Sequence, residues 1–317
     1  MSDARPVVPP VILIAQPHLA PLLGLLATDY AALPLWEAAG RARIAEARAI
    51  VTAGEFQLDP ALLEAMPQLG LIACFTVGYD GIDLARARAR GIAVTHAGDA
   101  NAEDVADHAI GLILAHRRQI VVGDQQLRAG AWVASAKTIT RSLAGARLGI
   151  VGMGAIGIAM ARRADVMRMQ VGWWGPRPKP ALAWPRADSL IALAQNSDML
   201  IVAARADETN RGMIDSAVID ALGPGGLLVN VARGQLVDED ALIAALQDGR
   251  LGGAALDVFA QEPTDAARWA DVPNCVLTPH TGGATDAAVA RMAAMVLANL
   301  RAYFSGAVLP SPVPDSV

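Results

Sequence analysis

Four short segments of this 317-residue sequence carry residue types whose spacing suits chemistry. The first is Gly152-Met153-Gly154-Ala155-Ile156-Gly157, between the apolar run RLGIV and the helical pattern AIGIAMARRA. Such a glycine string is weak evidence alone. Between a strand and a helix, each glycine has a separate use: a tight turn, close approach of a pyrophosphate to the backbone, and close packing of helix on sheet. The phosphates then lie at the helix N-terminus, where free N–H groups and the dipole favour anions. The expected ligand is a dinucleotide. The other segments are VNVARGQLVDEDAL, ALDVFAQEP and VLTPHTGGAT, buried strands that lead to Arg233, to Asp257 and Glu262, and to His280. Reducing a carbonyl needs a hydride donor, a proton donor and a cation to hold an acidic substrate. His280, Glu262 and Arg233 fill the last two roles. Singly, each has a plain structural use: a capping His, a loop Glu, a surface Arg. Together, at consecutive strand ends after a dinucleotide loop, they point to an active site.

The end of the next strand should choose the cofactor. An Asp or Glu there binds a ribose 2′-hydroxyl. Here QVGWW runs into GPRPKP, which puts Gly175 at the acid position and Arg177 and Lys179 just after it. A missing acid with cations at hand favours a 2′-phosphate, hence NADP, with NAD the alternative. The plain use of the two cations is a solvated turn.

Positioning these residues takes two series of alternating strands and helices, which means parallel sheets covered on both faces. In the first, Val11–Ala15, Ala49–Thr52, Leu71–Thr76 and Ile92–Thr95 read as strands, with helices around 18–27, 59–66 and 83–90. A long helix follows, with capping-box-like spacing at Asn101 and Asp104 and recurrence at three and four residues of Val105, Ala109, Leu112, Ile113 and His116. After RAGAWVASAKTITRSLAG, the second series has strands at Arg147–Val151, Gln170–Trp174, Met199–Ala203, Leu227–Val231, Ala254–Val258 and Val276–Thr278, with helices at 155–168, 216–222 and 239–248. A last helix over 284–304 is apolar at Val289, Met292, Ala293, Val296 and Leu300, and the tail PSPVPDSV reads as loose.

Composition narrows the function further. Lys+Arg is 26 against Asp+Glu 31, a net charge of −5 with no long basic run, so no nucleic-acid partner is expected. At 54% hydrophobic and 18% charged the chain is not disordered. Two cysteines, Cys74 and Cys275, cannot form a disulfide framework or a Cys-rich zinc site, and no metal is expected. Pro6–Thr28 lacks charged residues, but Pro6, Pro9, Pro10, Pro17 and Pro21 would break a spanning helix. The start MSDAR and the short run VILIA do not make a signal peptide. A soluble, cytoplasmic protein of about two domains is expected.

In this order, FTVGYDGID, NAEDVADHAIGLILA, LGIVGMGAIG, LLVNVARGQLVDEDAL, ALDVFAQEP and TPHTGGAT resemble the D-isomer-specific 2-hydroxyacid dehydrogenases over nearly the whole chain, most of all the glyoxylate, hydroxypyruvate and hydroxyphenylpyruvate reductases. The resemblance implies an α/β protein with a Rossmann dinucleotide-binding domain and a flavodoxin-like substrate domain, both with parallel sheets. The substrate domain would comprise 1–98 and 285–317 and the dinucleotide domain 99–284, with the active site in the cleft between them. Arg233 resembles the arginine that grips the 2-oxo acid, in a fork geometry Lys cannot copy. His280 resembles the general acid, and Glu262 the residue that orients it and favours its charged form. Asp257 matches the acid that binds the nicotinamide carboxamide. Val77 and Gly78 match the turn whose N–H groups receive the substrate carboxylate, and Thr52–Phe56 and Val77–Asp80 should border the substrate. Cofactor contacts are expected at Gly152, Gly154, Ala155, Ile156 and Gly157, at Gly175, Arg177 and Lys179, at Ala204, at Val231, Ala232 and Arg233, and at Asp257 and His280.

The chain departs from the family at Gly175, where NAD-using members usually carry an acid, and at Ala204-Arg205, where many have a proline nearby. Glu262 argues against the formate dehydrogenase branch. The implied activity is NADP-dependent reduction of a small 2-oxo acid, of the glyoxylate/hydroxypyruvate type, to the D-2-hydroxy acid. The alternatives are a hydroxyphenylpyruvate or other 2-oxo acid reductase using NAD, or a dinucleotide-sensing binding protein such as the corepressors of this fold. The corepressor reading predicts regulatory extensions or peptide-docking tails, which are not expected here. Relatives are mostly homodimers, and Trp132 would anchor such an interface or else serve an intramolecular core.

Overall fold

The computed structural model describes residues 9–136 and 138–314, so the start MSDAR, Pro6 and the end of the tail at 315–317 lie outside the described residues. The chain divides into two compact units, Met1–Asn101 with Asp286–Val317, and Ala102–Thr285.

The first unit runs β1 (Val11–Ile14), α1 (Pro21–Leu26), β2 (Ala31–Pro34), α2 (Ala38–Ala42), β3 (Ala47–Thr52), α3 (Pro60–Glu64), β4 (Leu71–Cys74), α4 (Leu84–Ala89) and β5 (Ala93–Thr95). Its described strands form an all-parallel sheet in the order β2-β1-β3-β4-β5, the flavodoxin-like order. Every residue of β1 and β4 is buried. That is why these strands read as continuous apolar runs: both faces are covered.

The second unit runs α5 (Ala102–Arg117), α6 (Ile120–Arg128), β6 (Arg147–Val151), α7 (Ala155–Val166), β7 (Gln170–Trp174), α8 (Leu190–Gln195), β8 (Met199–Val202), α9 (Ser216–Leu222), β9 (Leu227–Asn230), α10 (Glu239–Gln247), β10 (Gly253–Leu256), α11 (Ala266–Trp269) and β11 (Cys275–Leu277). The sheet order is β11-β10-β9-β8-β6-β7, all parallel. A further parallel bridge, Trp173 to Arg186, adds a rudimentary strand outside β7. In order along the chain the sheet then reads 3-2-1-4-5-6 with one more strand, the dinucleotide-binding order, and its direction reverses between β6 and β8. The final helix, α12 (Asp286–Ser305), returns to the first unit and buries Ala293, Val296 and Leu300 against that unit's sheet.

Local chemistry explains where the helices begin. The side chains of Asp59, Asp83, Ser189, Asp215, Asp238 and Asp265 each accept a backbone N–H in the first turn of α3, α4, α8, α9, α10 and α11. Each such cap is worth about 1 kcal/mol. The capping box expected at α5 is not used in that way: Asn101 Oδ1 is buried without a hydrogen-bond partner, and Asp104 accepts from the Thr285 hydroxyl at 2.6 Å.

Three other expectations need correction. The tail is anchored as far as it is described. Ser311 is buried and bonds to Asn299 of α12, and Val313 N donates to Val94 O. Val289 is 45% exposed, and Ala288 takes its place on the buried face of α12. Strand β2 and helices α2, α6, α8 and α11 were not foreseen. β2 is a half-buried edge strand that ends in Pro34, so it lacks the apolar run of its neighbours.

Candidate active site

The glycine loop leaves β6 at the point where the strand order reverses. Gly152 has φ +94°, and a Cβ there would lie 2.5 Å from Ala204 Cα. A Cβ on Gly157 would lie 2.2 Å from Gly152 O. Both positions therefore require glycine, one for the turn and one for the approach of α7 to it. Gly154 caps α7 with no side chain, and a Cβ there would meet nothing within 4 Å. Among the helices named above, several fill their first turn with their own carboxylate or hydroxyl. Here the N-cap of α7 is Gly154, so no side chain of its own takes the first-turn amides. This cradle fits a dinucleotide pyrophosphate.

The three strand-end residues come together. His280 Nδ1 lies 2.6 Å from Glu262 Oε2, while Glu262 Oε1 accepts from Phe259 N at 2.9 Å. A carboxylate only accepts, so Nδ1 carries the proton and Nε2 is the nitrogen left for chemistry. The hydrogen bond to Glu262 raises the His280 pKa above its usual value, against the opposing effect of burial. For Glu262, burial works upward, but the His280 and Phe259 hydrogen bonds prevail and hold its carboxyl below the usual range. Arg233 follows β9 in an extended conformation, and its charge is among the influences on both partners. Asn230, 1% exposed, fixes this turn by donating to Arg233 O at 2.9 Å and accepting from Ala232 N at 3.1 Å. Gly234 lets the turn pack directly on the next loop, because a Cβ there would lie 1.8 Å from Phe259 C.

Asp257, at the end of β10, is 2% exposed. Its Oδ1 accepts from the Thr278 hydroxyl at 2.6 Å and Thr281 N at 2.9 Å, and its Oδ2 accepts from Gly282 N at 2.8 Å. His280 N donates to Asp257 O at 2.8 Å. Asp257 thus grips both sides of the His280 turn, a role the sequence did not disclose. His108 of α5 and Thr278 join the same network, and neither was singled out from the sequence.

At the end of β7, Gly175 is buried, and Arg177 and Lys179 are exposed. Lys179 Nζ donates to Met153 O at 2.8 Å, which puts its ammonium on the glycine loop. The sequence reading missed Arg186. Its guanidinium donates to Gly175 O at 2.8 and 3.2 Å and lies 5.9 Å over the Trp173 ring. Arg186 is separated from Gly175 in sequence and reaches it only through the rudimentary outer strand. Ala204 follows β8 beside Gly152, and Arg205 is exposed.

In the first unit, Thr76 O accepts from Ala97 N at 3.0 Å, and Val77 O lies 3.2 Å from His96 Nδ1. Across a planar trans peptide, N–H points opposite to C=O. The N–H groups of Val77 and Gly78 are therefore directed away from those partners, as reception of an anion requires. Glu55 Oε2 accepts from the Thr76 hydroxyl at 2.8 Å, which ties the β3 and β4 loops together.

No described helix is long and apolar enough to cross a membrane. Trp132 is 73% exposed, which removes the intramolecular core reading. It lies in a stretch with Ile120, Leu127, Val133 and Ile139, all more than half exposed.

Known proteins resemble this chain closely. The profile described as D-isomer specific 2-hydroxyacid dehydrogenase, NAD binding domain, matches residues 110–282. The chain is 42% identical over 266 residues to a glyoxylate/hydroxypyruvate reductase A of Arabidopsis thaliana, covering 84% of this chain and 85% of that one. It is 41% identical, with the same coverage, to a hydroxyphenylpyruvate reductase of Plectranthus scutellarioides. An NADPH-dependent glyoxylate/hydroxypyruvate reductase of Sinorhizobium meliloti, solved with NADP and malonate, superposes with a TM-score of 0.88 at 35% identity, covering 96% of each chain.

Proposed function

The chain belongs to the D-isomer specific 2-hydroxyacid dehydrogenase family, and from that membership we infer that it reduces a small 2-oxo acid, of the glyoxylate/hydroxypyruvate type, to the D-2-hydroxy acid with NADPH. The observation that carries the site assignment is the His280–Glu262 pair at 2.6 Å, with the Arg233 charge acting on both partners, at strand ends of the same sheet as the glycine cradle. When bound, NADPH supplies the hydride.

The residues divide the remaining work. The N-terminal amides of α7, at Gly154, Ala155, Ile156 and Gly157, hold the pyrophosphate, with Gly152 making the turn. Ala204, Val231 and Ala232 line the path of the cofactor. Arg177 and Lys179 receive the 2′-phosphate. Asp257 Oδ2, which takes one N–H from Gly282, keeps a lone pair for the nicotinamide carboxamide. Arg233 holds the substrate through carboxylate and carbonyl, and the Val77 and Gly78 N–H groups receive the carboxylate. His280 Nε2 gives its proton to the carbonyl oxygen, and takes it back in the reverse direction. Glu262 stabilises the imidazolium and fixes its orientation. The two compact units are, in this reading, a substrate-binding and a dinucleotide-binding domain.

An aromatic 2-oxo acid is the second reading, supported by the 41% identity to a hydroxyphenylpyruvate reductase. We further propose a cytoplasmic homodimer. Both cysteines are free, with burial pushing each thiol up to about 12. The exposed apolar stretch around Trp132 suits a second copy of the chain. The test is a panel of glyoxylate, hydroxypyruvate, hydroxyphenylpyruvate and 2-ketogluconate with each nicotinamide cofactor, followed by loss of reduced-nicotinamide absorbance and chiral analysis of the product. D-2-hydroxy acid formed with NADPH is expected. Absence of turnover throughout would refute the reading.

A further inference from the structure

His280 sits at φ +54°, in the left-handed region that a non-glycine residue enters at a cost of about 1 kcal/mol or more. Such a conformation persists only where neighbours over-determine it. Here the neighbour is Asp257, whose main-chain carbonyl takes His280 N and whose carboxylate takes Thr278 Oγ1, Thr281 N and Gly282 N. The carboxylate must itself be held. His108, on α5, places Nε2 2.9 Å from Thr278 Oγ1 and 3.2 Å from Asp257 Oδ1.

Proton counting fixes the direction of these bonds. Thr278 has one hydroxyl proton, and its shorter contact, 2.6 Å, is to Asp257 Oδ1. A carboxylate has no proton to return, so the Thr278 oxygen is left to accept from His108. His108 therefore carries its proton on Nε2, and donates it into the Thr278–Asp257 pair. The result is a chain of donors running from α5 through Thr278 to Asp257, whose carboxylate also accepts the backbone N–H groups of Thr281 and Gly282 just after His280. Asp257 is nearly fully buried, where an unmade hydrogen bond is expensive and a completed network is rigid.

We propose that His108 is a positioning residue for His280: acting through Thr278 and Asp257, it locks the 278–282 turn in the conformation that presents the imidazole to Glu262 and to substrate. The proposal rests on the proton-donor reading of His280 and specifies what holds that donor. His108 touches neither substrate nor reacting atoms in this role. What it controls is the fraction of time the left-handed turn is populated.

The experiment compares wild type, His108→Leu, His108→Gln and Thr278→Val. Leu removes the donor, Gln restores an N–H at a similar distance along the side chain, and Val breaks the relay at its second link without changing shape. The first readout is the proton resonance between His280 Nδ1 and Glu262, in nitrogen-resolved spectra of the histidine rings. It needs no substrate, and the chain has only five histidines to assign. The second readout is kcat and KM for the 2-oxo acid with NADPH. The resonance should broaden or vanish in His108→Leu and Thr278→Val and return in His108→Gln. In parallel, kcat should fall about tenfold in the first two, with KM changing less than threefold, and recover in the third. An unchanged His280 resonance in both disrupting variants would overturn the proposal, as would a lowered melting temperature with unchanged kcat. If His108→Leu fails to fold, Thr278→Val carries the test. If no variant and not even wild type turns over any 2-oxo acid, the functional reading fails while the resonance still decides the positioning role.

Discussion

Replacing Gly175 by Asp together with Arg177 by Ala should turn the cofactor preference from NADPH to NADH. Gly175 has ordinary backbone geometry, and a Cβ there would meet only Trp173 ring carbon at 3.5 Å, normal contact, so the new side chain enters without strain. Its carboxylate would stand where a ribose 2′-hydroxyl is bound and would repel a 2′-phosphate. In the proposed binding mode, that phosphate gains the charges of Arg177 and Lys179 in wild type. A hydrogen bond to a charged group is worth about 1.5–3 kcal/mol, but both cations are exposed, which cuts each contact to about 1 kcal/mol. Lys179 is also committed to Met153 O, so its gain is the smaller of the two. A total of about 1.5–2 kcal/mol corresponds to a roughly ten- to thirtyfold preference for NADPH. Arg186, already on Gly175 O, will partly neutralise an added carboxylate, so the reversal should be weaker than the original preference. Removing Arg186 as well should strengthen it. The assay is kcat/KM for both cofactors at one substrate concentration series, in each variant. A wild type that prefers NADH would mean that these cations serve only the solvated turn and that the adenosine ribose is read elsewhere.

Arg233→Lys keeps the charge and loses the planar fork, so KM for the 2-oxo acid should rise and kcat should fall, together costing at least tenfold in kcat/KM; wild-type kinetics would remove Arg233 from substrate binding. Because Glu262 raises the His280 pKa, the proton needed for reduction should persist above the ordinary histidine range, and kcat/KM should decline only as pH rises through that raised value. Glu262→Gln should move this alkaline decline to lower pH, and a profile that does not move would show that Glu262 does not sustain the imidazolium. Light scattering should give a dimer, about twice the 32.9 kDa chain mass, and a monomer at working concentration would leave the exposed stretch around Trp132 without a partner.

Most of what positions the site was legible in the sequence because buried parallel strands write themselves as apolar runs. β6 and β7 were bounded to the residue, and β8 to β11 to within one or two. The ends of those strands carry Arg233, Asp257 and His280, so their approximate placement followed from the order of the motifs. Less legible were elements without a periodic apolar signal. β2 is half-buried at a sheet edge, and α6 buries none of its residues, so neither carries the pattern that burial imposes. Long-range contacts were not legible at all. Arg186 reaches Gly175 across an outer bridge, and His108 reaches Thr278 across 170 positions. Nothing in local spacing marks either residue. Asp257 shows the same limit in another way. Its type was read as a cofactor contact, while its hydrogen bonds to 278–282 depend on how β10 and β11 lie side by side.

In the proposed reaction His280 delivers the proton to the substrate carbonyl and acts mainly in the transition state. His280→Ala tests it most directly, with kcat for 2-oxo acid reduction measured alongside a fluorescence titration of NADPH binding. With His280 as proton donor, kcat should fall by about a hundredfold or more, the range for loss of a general acid, while the NADPH dissociation constant should change by less than about fivefold. Near-normal turnover in this variant, or a loss of activity matched by an equal loss of NADPH affinity, would contradict it.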